Sequence, residues 1–126
     1  MLNIAVVDDE QSSADLLCSY LSRFCYANQL EYSVKTFQSG GTFLWSYAPV
    51  YDVIFLDIEM GSINGMDIAR QIRKTDENTI IIFVTQLAQY AVEGYQVDAL
   101  DFMVKPLEYY SFELVMRKAV RRLRQR

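Results

Sequence analysis

Four segments of mainly apolar residues each lead into polar residues that could take part in chemistry. In chain order these polar residues are Asp8 with Asp9, Asp57, Thr85 and Lys105, after apolar runs at 4–7, 53–56, 80–84 and 99–104. If the runs are parallel strands, their carboxyl ends meet on one side of a sheet, where open α/β sheets bind their ligands. The spacing therefore predicts that three carboxylates, one hydroxyl and one ammonium converge from four positions.

This set of groups is suited to phosphoryl transfer. Three neighbouring carboxylates repel each other unless a cation offsets their charge. A hard divalent ion with oxygen ligands, Mg²⁺ above all, meets that need. A lysine can bind one phosphoryl oxygen and a threonine hydroxyl can donate to another. Carboxylates, Mg²⁺, Lys105 and Thr85 together indicate an aspartyl-phosphate site, in which one aspartate attacks phosphorus.

Each of these residues also has an ordinary structural interpretation. Asp8 or Asp9 alone would equally serve as a helix N-cap or a turn residue. Thr85 alone would cap a helix, and Lys105 alone would be a surface lysine before a proline turn. Their shared position after four separate apolar runs favours a common site.

The elements that must position these groups form a regular alternation. Strands are predicted at 4–7, 32–37, 53–56, 80–84 and 99–104, and helices between about 12 and 25, at 42–47, around 68–72, at 88–95 and over 109–126, with a break at 39–41 and Ser12 or Ser13 as the first N-cap. Strands without polar alternation are covered on both faces. The pattern predicts a doubly wound α/β fold with a five-stranded parallel sheet.

Composition excludes several classes of protein. The 126 residues, 52% of them hydrophobic, suit one domain. The absence of histidine excludes a phosphohistidine carrier and a His-ligated zinc site. Cys18 and Cys25 on one helix would lie about 10.5 Å apart, too far for a disulfide. With no membrane-length apolar run and no signal peptide, we expect a cytoplasmic location.

Charge is unevenly distributed along the chain. Six of the twelve cations lie in the last ten residues, and no acid lies beyond Glu113, so the net charge is −10 over residues 1–116 and +6 over 117–126. The basic tail is interpreted as a solvated helix end or a partner surface, in preference to a nucleic-acid site. We expect the basic tail to lie beside the surface that changes when the site is phosphorylated. Tyr109 and Tyr110 would indicate an interface if exposed.

The residues around the polar groups resemble a known family, the receiver domains of two-component response regulators. The resemblance covers essentially the whole chain, 1–126, and rests on four segments: Val6-Val7-Asp8-Asp9-Glu10, Phe55-Leu56-Asp57-Ile58-Glu59-Met60 with Gly65, Phe83-Val84-Thr85, and Asp101-Phe102-Met103-Val104-Lys105-Pro106. It implies a flavodoxin-like (CheY-like) sheet with strand order 2-1-3-4-5. It also implies a signalling switch rather than an enzyme, with self-catalysed phosphotransfer and autodephosphorylation at most.

The resemblance implies a role for each site residue. Asp57 corresponds to the phospho-acceptor, which a sensor histidine kinase would phosphorylate. Asp9 and Asp57 would bind Mg²⁺ directly with the backbone carbonyl of Glu59, and Asp8 would act through water. The remaining implied roles are phosphoryl binding by Thr85 and Lys105, a cis peptide bond before Pro106, and a switch that pairs Thr85 with Phe102.

The final third of the chain, 83–102, resembles receivers that precede LytTR-type DNA-binding domains. This implies a transcriptional output through a later domain, controlled by the surface of the fourth helix, fifth strand and fifth helix (88–95, 99–104 and 109–126; α4-β5-α5 in family terms). That surface is also a candidate homodimer face. Gly61 and Gln86 depart from the family pattern and bear on the rates of phosphorylation and hydrolysis.

Two other functions compete with the phospho-switch. A Mg²⁺-dependent phosphohydrolase would use Asp57 as nucleophile and Glu59 as a nearby acid–base, but the Asp8-Asp9 pair and the lack of a cap insertion fit it poorly. Direct DNA binding through the basic tail would require a recognition helix that a doubly wound sheet does not provide.

Overall fold

Five parallel strands form one sheet in the computed structural model, which describes residues 1–61, 63–86, 89 and 93–126. The strands are β1 (Leu2–Val7), β2 (Tyr32–Phe37), β3 (Val53–Leu56), β4 (Ile80–Thr85) and β5 (Asp101–Val104). Their order is β2-β1-β3-β4-β5, and all neighbours are parallel. The predicted sheet and its 2-1-3-4-5 order are confirmed.

Helices cover both faces of this sheet. They are α1 (Gln11–Ala27), α2 (Gly40–Trp45), α3 (Gly65–Thr75) and α4 (Tyr109–Arg124), with a 3₁₀ helix at Glu93–Val97. Alternate strand residues pack against α1 and α4 on one face and against α2 and α3 on the other. The helix predicted at 88–95 falls largely outside the described residues.

Two local predictions were wrong. Helix α1 begins at Gln11, before Ser12 and Ser13, because the Asp8 carboxylate accepts the N–H of Glu10 and turns the chain there. Helix α2 begins at Gly40, two residues before the predicted start, since the Ser39 hydroxyl accepts the N–H of Thr42 and caps it. After Asp57, Glu59–Met60 and Ile63–Asn64 pair as a short antiparallel hairpin.

The two ends of the sheet are named by the direction of the strands. We call the end where the parallel strands finish the carboxyl end, and the opposite one the amino end. In the described chain, no helix combines the length and hydrophobicity needed to cross a membrane.

Candidate functional site

Asp8 and Asp9 leave β1 in different environments. Asp8 is buried, its backbone N–H donates to the carbonyl of Phe37 (3.0 Å), and its Oδ1 accepts the N–H of Glu10 (2.9 Å). Asp9 is exposed. Burial raises the pKa of Asp8, although hydrogen bonds from Lys105 and from the Glu10 backbone oppose that rise.

Asp57 is held at the end of β3 by close backbone packing. Its N–H donates to the carbonyl of Val7 at 3.0 Å, and its side chain is buried. Helix α3 starts against this backbone, with Gly65 N–H donating to the carbonyl of Ile58 at 2.7 Å. A Cβ at position 65 would lie 1.9 Å from the backbone oxygen of Asp57, so only glycine fits.

The three carboxylates form one acidic cluster. One oxygen from each of Asp8, Asp9 and Asp57 lies within 4.8 Å of the others. Oδ1 of Asp57 is buried and has no hydrogen-bond partner within the described part of the chain. A buried carboxylate oxygen without a partner, next to two further carboxylates, fits a hard cation such as Mg²⁺.

Lys105 brings a positive charge into this cluster. Its Nζ lies 2.9 Å from Oδ2 of Asp8 and 3.0 Å from Oδ2 of Asp57, with a longer contact of 3.6 Å to Glu10. Burial disfavours the charged ammonium, but the hydrogen bonds to Asp8 and Asp57 outweigh it and hold the pKa of Lys105 above its ordinary value. The Lys105–Pro106 peptide bond is cis.

Thr85 is the last of the polar residues that were predicted to converge at the carboxyl end of the sheet. It is fully buried at the end of β4, and its backbone carbonyl accepts the N–H of Lys105 at 2.9 Å. One pocket is lined by Asp9, Glu10, Asp57, Glu59, Gly61, Thr85, Gln86 and Lys105. The exposed Gln86 therefore lies at the wall of the pocket beside Asp57.

The hairpin positions Glu59 and Gly61 beside Asp57. Glu59 pairs with Asn64, whose side chain caps α3 by accepting the N–H of Met66 at 2.7 Å. Gly61 has φ of +61°, a conformation that side-chain-bearing residues rarely adopt and that proline cannot adopt. Gly61 departs from the family pattern, and glycine suits the backbone conformation at this position.

Glu10 is a site residue that the sequence analysis did not single out. It lines the pocket beside Asp57 and lies 3.6 Å from Lys105, and it also accepts a hydrogen bond from Ser13. That bond is the main cause of a lowered pKa for Glu10. The signal available in the sequence was its position directly after Asp8 and Asp9.

Phe102 lies on the strand next to Thr85. It is half-buried, pairs in register with Phe83, and its ring centroid lies 6.1 Å from that of Phe83. Since strand residues two apart share a face, Phe102 is on the same face of the sheet as Thr85. The placement is compatible with both a core and a switch role.

The basic tail contacts two parts of the sheet. Lys118 pairs with Asp101, the first residue of β5, at 2.8 Å. Arg126, in contrast, lies 3.6 Å from Asp52 and donates to the carbonyl of Asn78, both at the amino end of the sheet. The tail therefore lies beside β5 at Lys118 and at the amino end of the sheet at Arg126, because α4 runs along the sheet toward that end.

Comparison with known proteins agrees with this geometry. A family model described as "Response regulator receiver domain" matches residues 4–115. Sensory transduction protein LytT of Bacillus subtilis (strain 168) is 31% identical over 118 residues, covering 94% of this chain and 48% of LytT. Response regulator ArlR of Staphylococcus haemolyticus is 34% identical over 127 residues, covering 100% of this chain and 56% of ArlR. The chain thus spans about half the length of these relatives.

One solved structure is similar to this chain in both sequence and fold. The crystal structure of response regulator protein TrrA from Thermotoga maritima, in complex with Mg²⁺-BeF, has a TM-score of 0.78 and 30% identity. The match covers 94% of this chain and 99% of TrrA. Receiver domains bind Mg²⁺ at an acidic pocket, and Asp8, Asp9 and Asp57 form an acidic cluster in this chain.

Proposed function

Because the chain belongs to the response regulator receiver domain family of two-component systems, we propose that it is a phospho-accepting switch whose Asp57 receives a phosphoryl group from a sensor histidine kinase. Receiver domains of this family are signalling switches that sensor kinases phosphorylate. The observation that carries the proposal is the Lys105 ammonium, within 3.0 Å of both Asp8 and Asp57, beside Oδ1 of Asp57, which has no hydrogen-bond partner among the described residues.

Asp57 acts as the nucleophile in this proposal. A carboxylate oxygen of Asp57 forms a bond to phosphorus while the bond from phosphorus to the donor histidine nitrogen breaks, leaving its electron pair on that nitrogen. Lys105 already contacts Oδ2 of Asp57, so its charge is in place for the phosphoryl oxygens as they approach. Thr85, at the end of the neighbouring strand, binds a second phosphoryl oxygen.

Asp9, Asp57 and the backbone carbonyl of Glu59 would hold Mg²⁺ directly, with Asp8 acting through water. Bound there, the ion would neutralise charge on the carboxylates and on the phosphoryl oxygens. Asp8 is buried and engaged by Lys105 and the Glu10 backbone, whereas Asp9 is exposed beside the pocket. This difference supports a direct role for Asp9 and an indirect one for Asp8.

The switch in this proposal couples Thr85 to Phe102. Both lie on one face of the sheet on adjacent strands, so a shift of Thr85 toward a phosphoryl group alters the space beside Phe102. Phosphorylation then biases a two-state equilibrium of the surface around β5 and α4.

The surface around β5 and α4 also supports the proposed homodimer. Val104, Tyr110 and Leu114 are exposed to 47%, 69% and 48%. Tyr110 and Leu114 are four residues apart on α4 and therefore share a helix face. Apolar and aromatic side chains exposed together favour a protein interface. Tyr109, in contrast, packs against Tyr20 and lies under the guanidinium of Arg23.

A second pocket supports the approach of a kinase. It adjoins the acceptor's pocket, shares Glu10, Gln86 and Lys105 with it, and has a mainly apolar wall formed by Leu16, Pro106 and Leu107. A partner that binds this wall brings its phosphohistidine next to Asp57. Two free cysteines are consistent with the cytoplasmic location that we include in the proposal.

Two relatives longer than this chain support a separate output domain. LytT and ArlR are about twice as long as this chain, and the former is named as a sensory transduction protein. We therefore propose that residues 1–126 act as one receiver domain for a LytTR-type output domain that binds DNA, with the basic end of α4 leading toward it.

Phosphoryl incorporation at Asp57 tests the proposed function. Purified protein is incubated with acetyl phosphate and Mg²⁺, and its intact mass is measured before and after hydroxylamine, which cleaves acyl phosphates. We expect one phosphoryl group per chain, lost with hydroxylamine and absent in Asp57→Asn. Asp67→Asn, a substitution at an exposed carboxylate on α3, is the matched control and keeps the label. Mg²⁺-dependent labelling of Asp57→Asn would refute the assignment, and turnover of small phosphate esters would favour the phosphohydrolase.

A further inference from the structure

Arg73, in the last turn of α3, connects the amino ends of two strands of the candidate site. Four of its five N–H groups donate to backbone carbonyl oxygens: Nε to Val97 at 2.6 Å, Nη1 to Thr79 at 2.7 Å and to Asp76 at 3.3 Å, and Nη2 to Asp98 at 3.1 Å. No carboxylate lies within ion-pair distance of Arg73 in the described structure, so backbone carbonyls take up its donors.

The two segments that Arg73 joins lead to different parts of the switch. Thr79 directly precedes β4, which ends at Thr85. Val97 and Asp98 precede β5, which carries Phe102. Arg73 therefore fixes the starting points of both strands on the end of α3.

The carbonyls at 97–98 depend on this contact. Asp98 has φ of +53°, a left-handed conformation that costs energy for a residue with a side chain, so the surrounding structure must hold it. Carbonyl groups in such a turn need donors from elsewhere in the chain. The planar fork of arginine can reach several carbonyls at fixed angles, which a lysine ammonium cannot do.

Helix α3 also touches the acceptor at its other end. Gly65 begins the helix with no room for a Cβ beside the backbone of Asp57, and Arg73 lies in its last turn. At 1.5 Å per residue, the 11-residue helix is about 16 Å long. One rigid element thus contacts both the acceptor's backbone and the starting points of β4 and β5.

Resting on the proposed function, we propose that Arg73 is a positioning residue for the phosphorylation switch. Arg73 holds the starts of β4 and β5 on α3. A displacement of Thr85 therefore moves Phe102, whereas without this contact the turn at 97–98 would move instead. A two-state element transmits a local change only if its supports do not yield with it. Arg73 has no contact with the reacting atoms and acts through these supports.

Arg73→Lys tests this proposal, with Arg70→Lys as the matched control. Arg70 lies one turn earlier on α3, where it pairs with Asp67 of the same helix at 2.9 Å. Across the gap that Arg73 spans, its contacts with Glu93 and Gln96 are longer, at 3.4 Å. Phosphoryl incorporation is measured by intact mass, and amide exchange of 99–104 is measured with and without Mg²⁺ and beryllofluoride, a phosphoryl analogue. We expect both variants to be phosphorylated fully, and the exchange difference to persist in Arg70→Lys but to be mostly lost in Arg73→Lys.

A folded Arg73→Lys that keeps the wild-type exchange difference overturns the proposal. If that variant does not fold, the wild-type protein decides. The amides of Ala99 and Leu100, bonded to Gly94 and Ile81, must then exchange equally in both states while that of Phe102 changes. Equal changes at all three would show that the support moves and overturn the proposal. A wild-type protein that takes up no phosphoryl group contradicts the proposed function itself, a separate readout.

Discussion

The carboxylates at the two ends of the sheet are satisfied to different degrees. At the amino end, Asp76 accepts hydrogen bonds from the Tyr47 hydroxyl and from two backbone N–H groups, and Asp52 accepts from the backbone of Asn3 and lies near Arg126. At the carboxyl end, Lys105 contacts two of the three clustered carboxylates, Asp8 and Asp57, and Oδ1 of Asp57 has no partner among the described residues.

The carboxylates at the amino end stabilise the fold, whereas those at the carboxyl end are arranged to bind a ligand. Partnered carboxylates at loop ends satisfy backbone N–H groups and add stability. Clustered carboxylates that include an oxygen without a hydrogen-bond partner lower the stability of the fold until a cation or a phosphoryl group is present. Substitutions at the carboxyl end should therefore change phosphotransfer most. Those at the amino end should leave phosphotransfer unchanged and alter stability or, at Arg73, the response of β5.

Lys105→Gln should have the largest effect on chemistry. It removes the one charge that contacts both Asp8 and Asp57, so phosphotransfer from acetyl phosphate should slow by about 10²–10³-fold. Mg²⁺ binding should be retained or strengthened, because a competing cation has gone. Lys118→Gln, which breaks an exposed pair with Asp101, is the control and should leave the rate unchanged. An unaffected rate in Lys105→Gln would contradict the proposed role.

Gly65→Ala should affect both stability and chemistry. The new Cβ would lie 1.9 Å from the Asp57 backbone oxygen, so α3 must shift, lowering the free energy of unfolding by about 1–3 kcal/mol and slowing phosphotransfer. Gly41→Ala is the matched control, since its nearest neighbour would be a side-chain atom at 3.6 Å. Urea unfolding should be followed by circular dichroism, because the single tryptophan, Trp45, is 92% exposed. Equal stability of the two variants would argue against the close packing.

Tyr47→Phe should affect stability alone. It removes the 2.9 Å hydrogen bond from the Tyr47 hydroxyl to Asp76 and should lower the free energy of unfolding by about 0.5–1.5 kcal/mol. Phosphoryl incorporation should match the wild type, because Asp76 lies at the amino end. A slower phosphotransfer in this variant would show that the two ends of the sheet are coupled more strongly than their hydrogen bonds indicate.

Arg126→Ala should have the smallest effect. Its side chain is 40% exposed and its contact with Asp52 is 3.6 Å long, so the free energy of unfolding should fall by less than about 1 kcal/mol. Thermal unfolding at low and high salt measures this, and the small difference should disappear at high salt. A large loss of stability that persists in high salt would give the basic tail a structural role.

The carboxyl end of the sheet was largely predictable from the sequence. Asp8, Asp57 and Lys105 follow apolar runs, and parallel strands bring such positions together whatever the intervening loops do. The helix face from Ala14 to Cys25 was equally readable, since its apolar residues repeat with the helical period.

Other features, at both ends of the sheet, were not predictable in the same way. Arg73 lies on the polar side of α3, and its partners are backbone carbonyls, which leave no trace in the sequence. The 1.9 Å packing constraint at Gly65 depends on how α3 meets β3, which no local pattern encodes. The start of α1 was misjudged because the side chain that turns the chain there belongs to Asp8, outside the helix.

Amide NMR during a beryllofluoride titration with Mg²⁺ tests the central claim most directly, with molecular mass measured in parallel. We predict Mg²⁺-dependent shifts at Asp57, Thr85 and Phe102, no shifts at Asp52 and Asn78, and a mass consistent with a dimer at saturation. Asp57→Asn should show none of these changes. Shifts at Asp57 and Thr85 that occur equally in Asp57→Asn, or their absence in the wild type, would contradict the assignment of this site as the acceptor of a phosphoryl group.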